Sequence, residues 1–351
     1  MRRLPVPFPE EAIMRALRLL PGRSEPVLAD VPRPRPGPGE VVVRVGGSGV
    51  CRTDLLLPGG PRAAAFTLGH ENAGWVYETG PGVTGVEAGD PVAVCAAWGC
   101  GSCVRCAAGR EASCEQGRPA PSPPGPGRGR DGGMAEFLLV PAVRWLVPLP
   151  GGLDPAEAAP LVCAGSAALH AVRGWEPPPD AVAVVVGAGT VGQLAVQLLR
   201  ALTSARIAVV DARPGALAAA RLAGADLALP PGEVTSGTLT LWSAGRGADL
   251  VLDAAGTAGS PATAAAVVRA GGTIVRLHHR ASGTLDVAAL PSDTALRSVT
   301  WGSRDTLTDV LDLAAAGTIV PRVTTFPLEK APAVYGLLRD DALEDHAVIT
   351  P

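Results

Sequence analysis

Cys100, Cys103, Cys106 and Cys114 lie within one short segment, GCGSCVRCAAGREASC. Four thiolates at such spacing can surround a single Zn²⁺ tetrahedrally, with Gly101 and Gly109 easing the turns. A closed four-sulfur site leaves no position for water or substrate. A metal held there supports the fold, and any chemistry must lie elsewhere. Disulfide pairing is the other use of clustered cysteines, and it needs an oxidising compartment. The N-terminal MRRLPVPFPEEAIMRALRLL has no uninterrupted apolar run and no small-residue cleavage site, so it does not read as a signal peptide. The expectation is structural zinc in a reduced, cytoplasmic protein.

A second constellation lies in VVVGAGTVG, where Gly187, Gly189, Thr190, Val191 and Gly192 follow a β-branched run and open a helical pattern. Gly187 permits a tight turn, Gly189 admits a pyrophosphate close to the backbone, and Gly192 lets helix and strand pack closely. The helix N-terminus adds amide donors and the positive end of a dipole. A glycine motif alone says little. Here the next apolar run, Ile207 to Val210, ends in Asp211, about twenty residues on, where a carboxylate can accept from ribose hydroxyls and repel a 2′-phosphate. Asp211 therefore favours NAD(H) over NADP(H), with Arg213 nearby as the residue able to meet a phosphate.

These residues need two kinds of scaffold. The first half is rich in Gly and Pro with short apolar runs, such as Val41–Val45 and Pro91–Val94, and reads as a β-rich domain. Residues 119–133 form the longest low-complexity stretch, a surface loop that returns to a strand over Met134–Val140. Arg128, Gly129 and Arg130 within it read as solvated. From Ala181 the texture alternates. Strands are expected over Ala181–Val186, Arg206–Val210, Asp249–Leu252 and Thr273–Leu277, with helices near 191–202, 214–223 and 260–270. That is a doubly wound parallel sheet. A helix over Thr306–Ala316, ending at Gly317, and strand texture at Ala347–Thr350 close the chain. Residues 1–13 read as a possible extension before Met14.

Composition excludes several classes. The 351 residues carry 30 basic and 33 acidic side chains, with no charge run suited to nucleic acid or a membrane surface. Ala181–Leu199 is uncharged and long enough to span a bilayer, but its glycines and glutamines, and its change from β-branched to helical spacing, mark a strand followed by a packed helix.

The sequence resembles the zinc-dependent medium-chain alcohol dehydrogenases over nearly its whole length. GVCRTD (Gly49–Asp54), LGHENAG (Leu68–Gly74), GVEAGDPVAV (Gly85–Val94), the four-cysteine lobe, CAG (Cys163–Gly165), the glycine motif and LAAAGTIVPRV (Leu313–Val323) carry the likeness. WGCGSC, PGPGRGRDGGMAEF and TWGSR are most similar to bacterial members acting on secondary alcohols and ketones. The resemblance implies an α/β protein with a GroES-like catalytic domain, residues 1–164 with 305–351, and a Rossmann domain over residues 165–304. It also implies a second zinc, held by Cys51, His70 and Cys163 with one position open, so that two Zn²⁺ are expected per chain. Glu71 is implied as an alternative ligand, Asp54 as the partner of the His70 ring, Thr53 as first proton acceptor and Arg52 as a pyrophosphate contact. A homodimer or homotetramer is implied as well. Cys95 reads as core or pocket wall. Trp98 reads as pocket lining or as an aromatic packed beside the zinc lobe.

Four places depart from the family pattern. Leu56 stands where many relatives have a relay histidine, and Ala167 where a threonine is usual. His278-His279 follows a strand that often ends in Gly, and Asp345-His346 replaces a Gly-Arg pair able to contact pyrophosphate. The expected activity is hydride transfer between NAD(H) and an alcohol, secondary or primary, with its ketone or aldehyde. The competing readings are a reductase of activated C=C or C=N bonds, a zinc-free quinone-type reductase, and a non-enzymatic NAD-binding protein. The intact Cys51, His70 and Cys163 set argues against the second.

Overall fold

Val182–Val186 (VAVVV) has no polar face, and all five residues are buried. Such a strand must be covered on both sides, as in a parallel sheet between helices. The computed structural model describes residues 12–23, 25–57, 65–117, 125–235, 237–277 and 283–351, and places this strand centrally in a six-stranded parallel sheet. The strand order is Leu227–Leu229, Arg206–Val210, Val182–Val186, Ala248–Asp253, Val268–Arg276 and Ala295–Ser298. Strand order reverses between Val182–Val186 and Ala248–Asp253, the switch point at which doubly wound sheets open a ligand crevice. The expected helices appear as Thr190–Leu202 and Pro214–Leu222.

The third helix is shorter than its composition suggests. It covers Ser260–Val267, because Val268 is already extended (φ −67°, ψ 140°) and begins the next strand. The strands Leu227–Leu229 and Ala295–Ser298 were not expected. Each is short and sits at a sheet edge: Leu227–Leu229 (LAL) is apolar but only three residues long, and Ala295–Ser298 is largely exposed, so neither stands out as an apolar run.

The first half and the C-terminal tail share a seven-stranded sheet. Its order is Leu146–Pro148, Pro91–Val94, Glu71–Thr79, Val41–Gly49, His346–Thr350 and Val323–Pro327, with Phe137–Val140 also paired to Val41–Gly49. Ala135 adds only an isolated bridge to Ala16, so the strand expected from Met134 begins later, at Phe137. Ile13–Leu19 lies between Val27–Pro32 and Phe66–Thr67 in a separate three-stranded sheet. Residues 1–11 of the suggested extension, residues 119–124 of the low-complexity loop, and His278 and His279 lie outside the described residues. Arg304–Ala315 forms the late helix, capped by Ser303 and followed by Gly317 at φ +70°.

One buried cluster runs from Val41 and Val94 through Leu169 to Val185, Leu252 and Leu311, joining both sheets in a single core. A second packs Leu17, Val50, Leu68, Val334, Tyr335 and Ile349 beneath the start of the short helix Arg52–Leu55. Among the described residues no helix is long and apolar enough to cross a membrane, and Ala181–Leu199 divides into strand and helix.

Candidate active site and metal centres

Neighbouring strands bring the first two catalytic candidates together. Cys51 follows the strand Val41–Gly49, and His70 precedes Glu71–Thr79, with Gly49 paired to Glu71 in the register. Gly69, at φ +97°, turns the chain into His70, and a Cβ there would sit 2.5 Å from Ser48 Oγ. Cys163 arrives from a single π-turn, Leu161–Gly165, between the helices Pro155–Pro160 and Ser166–Arg173. Local widening of a helix is a frequent way to aim a functional side chain. The ligand atoms of Cys51, His70, Glu71 and Cys163 all lie within 4.8 Å of one another.

Partners outside this group hold each member in place. The His70 ring Nδ1 lies 2.9 Å from Asp54 Oδ1, and Tyr335 donates its hydroxyl to Asp54 Oδ2 at 2.7 Å. Asp54 can only accept from the ring, so Nδ1 carries hydrogen, and in the neutral ring that a metal ligand requires Nε2 then keeps its lone pair. Trp301 donates Nε1–H to Cys163 Sγ at 2.9 Å. His346 Nε2 lies 2.6 Å from Glu71 Oε2. Thr53 Oγ1 lies 3.5 Å from Cys51 Sγ.

What remains unsatisfied points inward. His70 Nε2 and Glu71 Oε1 are buried without hydrogen-bond partners among the described residues, and stand 4.0 Å apart. Orphaned polar atoms are costly in a protein interior unless a ligand meets them. Hydrogen bonding with Cys163 pulls the Cys51 thiol down to about 6, and the same contact, together with burial, pushes Cys163 well up. Burial opposes ionisation of Glu71, yet His346 carries its carboxyl below the usual value. Burial likewise opposes charge on His70, but Asp54 and Cys51 raise it well above normal. Two thiols, an imidazole and a carboxylate in one buried volume repel one another when all are deprotonated. A divalent cation removes that conflict, so the group fits a zinc ion.

The cysteine lobe satisfies itself differently. Backbone amides supply most of the hydrogen bonds: Cys100 donates to Cys114 Sγ at 3.3 Å, Cys103 to Cys100 Sγ at 3.3 Å and Cys106 to Cys103 Sγ at 3.5 Å. The Ser102 amide leads the contacts that lower the Cys100 thiol to about 6, while burial and neighbouring sulfurs push Cys106 to about 12. Gly101 and Gly109 adopt φ +77° and +67°, conformations that side chains resist. All four are free thiols within the same 4.8 Å limit. Cys95 is buried and pushed up to about 12, mainly by burial, as a core thiol would be.

At the switch point, Gly187 adopts φ +96°, and a Cβ there would meet Ala255 N at 2.6 Å. At Gly192 a Cβ would fall 1.9 Å from Gly187 O. At Gly189 its nearest neighbour would be Arg213 Nη2, at 4.0 Å. The first and third glycines serve packing, and the second leaves open space beside the helix start. That helix has no side-chain N-cap, so its first amides are not claimed by one. Asp211 accepts from Ala188 N at 2.8 Å and from Arg213 N at 2.9 Å, with the Arg213 guanidinium at 3.2 Å. Burial raises its carboxyl, but Arg213 and the Ala188 amide bring it below the usual range. Thr190 is the first residue of the helix, followed by Val191, which is half-buried. Arg52 pairs with Asp341, and burial together with Arg213 lowers its guanidinium, so the two arginines lie near each other.

A glycine-lined turn at a switch point and a Cys–His–Cys group drawn from the ends of two strands and a π-turn complete the geometry. An alcohol dehydrogenase GroES-like domain model matches residues 37–151, and a zinc-binding dehydrogenase model matches residues 190–316. The chain belongs to the zinc-dependent medium-chain alcohol dehydrogenase family. It is 32% identical over 349 residues to the NADP⁺-dependent D-arabinose 1-dehydrogenase of Saccharolobus solfataricus, covering 95% of this chain and 97% of that one. It is 36% identical over 258 residues to an NAD-dependent alcohol dehydrogenase of Sulfurisphaera tokodaii, covering 68% and 71%. The alcohol dehydrogenase of Aeropyrum pernix superposes with TM-score 0.87 at 29% identity, covering 96% of this chain and all of that chain.

Within this alcohol dehydrogenase fold the structure departs from the sequence reading at several points. Arg128 is not simply solvated: its guanidinium stacks on Trp301 at 4.4 Å from the ring centroid, with burial lowering its pKa. Trp98 is 8% exposed and belongs to the main core, the packed alternative. Leu56 is exposed and Ala167 buried. Of the replaced Gly-Arg pair, Asp345 meets Arg322 at 2.7 Å, while His346 turns inward to Glu71 and, at 3.0 Å, to Thr190. Tyr335, Trp301 and His346 were not among the expected site residues. Each acts across the fold, so no local spacing announces it. Trp301 had a signal as part of TWGSR, and His346 as a departure from the family pattern.

Proposed function

We propose that the protein interconverts an alcohol and its ketone or aldehyde with NAD(H), using a catalytic zinc held by Cys51, His70 and Cys163. The observation that carries this reading is the pair of orphaned atoms, His70 Nε2 and Glu71 Oε1, facing two cysteines beside the dinucleotide cradle. Zinc there would supply Lewis acidity toward the alcohol or carbonyl oxygen, and the nicotinamide would give or take the hydride. Asp54, held by Tyr335, keeps the His70 ring aimed. Trp301 steadies the Cys163 sulfur. Thr53 Oγ1 takes the first proton beside Cys51. With Leu56 in place of an imidazole, that proton leaves by a route other than a histidine relay. Gly187, Gly189, Thr190, Val191 and Gly192 cradle the pyrophosphate, and Arg52 and Arg213 add positive charge. Asp211 accepts from the ribose, which favours NAD over NADP, in contrast to the arabinose dehydrogenase.

A second, structural zinc belongs to Cys100, Cys103, Cys106 and Cys114, giving two per chain. Residues 1–164 with 305–351 form the catalytic domain and 165–304 the cofactor domain. A cytoplasmic homo-oligomer suits this reading.

The test is NADH consumption against a panel of ketones and aldehydes, with zinc removed and restored. Turnover lost on chelation and recovered with Zn²⁺ supports the proposal. NADH binding without turnover across the panel contradicts it. NADPH as the better cofactor would overturn the assignment of Asp211.

A further inference from the structure

His346 opens the strand His346–Thr350, which is paired on one side with Val323–Pro327 and on the other with Val41–Gly49. Its backbone amide donates to Arg322 O at 2.9 Å, so the residue is pinned before its side chain reaches anything. The side chain is 7% exposed and uses both ring nitrogens. Nε2 lies 2.6 Å from Glu71 Oε2, and Nδ1 lies 3.0 Å from Thr190 Oγ1. Glu71 and Thr190 have no hydrogen bond to one another. One belongs to the metal-facing group, and the other starts the helix at the glycine motif.

The backbone is shaped for this contact. A Cβ on Gly49 would lie 2.0 Å from Glu71 Oε2 and 2.9 Å from His346 Nε2, so any larger residue would displace both. An ionised carboxylate only accepts, which makes Nε2 the donor to Glu71 and turns Nδ1 toward Thr190. Because an imidazole is rigid, the two contacts fix the spacing between Glu71 and Thr190. The other Glu71 oxygen, Oε1, is then left facing His70 Nε2. The neighbouring Asp345 does not compete, being engaged by Arg322 at 2.7 Å and Thr324 at 3.3 Å.

We propose that His346 is a positioning residue that ties the Glu71 carboxylate to Thr190 and thereby sets the metal-facing wall of the cleft against the first turn of the dinucleotide-binding helix. This rests on the zinc and dinucleotide assignments above. Its consequence is energetic coupling between two residues that do not bond to each other.

The test is a double-mutant cycle on the full-length, zinc-loaded protein, with NADH affinity read from nicotinamide fluorescence. Glu71→Gln and Thr190→Val are measured singly and together, in the native chain and in His346→Phe. The expected result is a combined effect in the native chain that differs from the product of the single effects by about threefold or more, and simple multiplication in His346→Phe. Should His346→Phe fold poorly, His346→Gln, which keeps polar atoms at a similar reach, serves in its place and should show weakened coupling. A second readout is the visible absorption of Co²⁺ bound at the catalytic site, which should shift on NADH binding in the native chain and shift less in the His346 variant. Single effects that simply multiply in the native chain, with an NADH-induced cobalt shift unchanged by the His346 variant, overturn the proposal. Failure of the native protein to bind NADH at all would instead overturn the functional reading beneath it.

Discussion

The two cysteine-bearing groups solve the same problem in opposite ways. Cys100, Cys103, Cys106 and Cys114 come from one short segment, and their sulfurs are met mostly by backbone amides of that segment. Cys51 and His70 flank two paired strands and Cys163 lies in a π-turn, and side chains from across the chain hold their group: Asp54, Tyr335, Trp301 and His346. The first group needs little beyond its own loop. The second exists only when both sheets are packed, and it leaves two buried atoms unsatisfied. Self-sufficiency suits a metal that braces a fold, and incompleteness suits one that meets a substrate.

Breaking the long-range group should have the largest effect on chemistry. His70→Ala is expected to lower kcat by roughly a thousandfold or more, since Lewis acidity contributes several kcal/mol to the transition state. NADH affinity by fluorescence should stay within a few-fold of native, because the glycine motif is untouched. Breaking the local group should act on the fold. Cys103→Ser is expected to lower the melting temperature by on the order of 10 °C in calorimetry as the lobe loses its metal. Residual turnover should then track the folded fraction.

Three smaller effects sharpen the contrast. Asp54→Asn keeps size and removes charge, and should weaken zinc at the catalytic site by about 10–100-fold in a chelator competition while sparing the lobe. Asp211→Ala should weaken NAD by about tenfold, the loss of one charge-assisted hydrogen bond, and narrow the preference over NADP in a KM comparison. Finally, alkylation followed by peptide mass mapping should label Cys100 and Cys103, whose thiols are lowered by backbone amides, once zinc is removed, and leave Cys95 unlabelled. Burial holds that thiol at about 12, far from its reactive form.

The same contrast explains what the sequence disclosed. The lobe and the glycine motif are local, and their turn glycines take the positive φ that their positions suggested. The parallel strands were legible because Val182–Val186 and Arg206–Val210 are almost wholly apolar. The edge strand Leu227–Leu229 is only three residues long and Ala295–Ser298 is largely exposed, so neither left such a trace. Cys51, His70 and Cys163 could be joined only through family resemblance. Tyr335 and Trp301 look like ordinary core aromatics until the fold carries Tyr335 to Asp54 and Trp301 to Cys163. His346 shows the limit most plainly: its position was noted as a lost pyrophosphate contact, and only packing reveals Glu71 and Thr190 on either side.

The most direct test of the division between the two groups is a zinc titration of the metal-free protein, following bound metal and carbonyl reduction together in the native chain and in His70→Ala. The account predicts two zinc ions per native chain, with turnover appearing only as the Cys51, His70 and Cys163 group fills, and one zinc with no turnover in His70→Ala. Two tightly bound zinc ions in His70→Ala, or native-like turnover from it, would contradict the account.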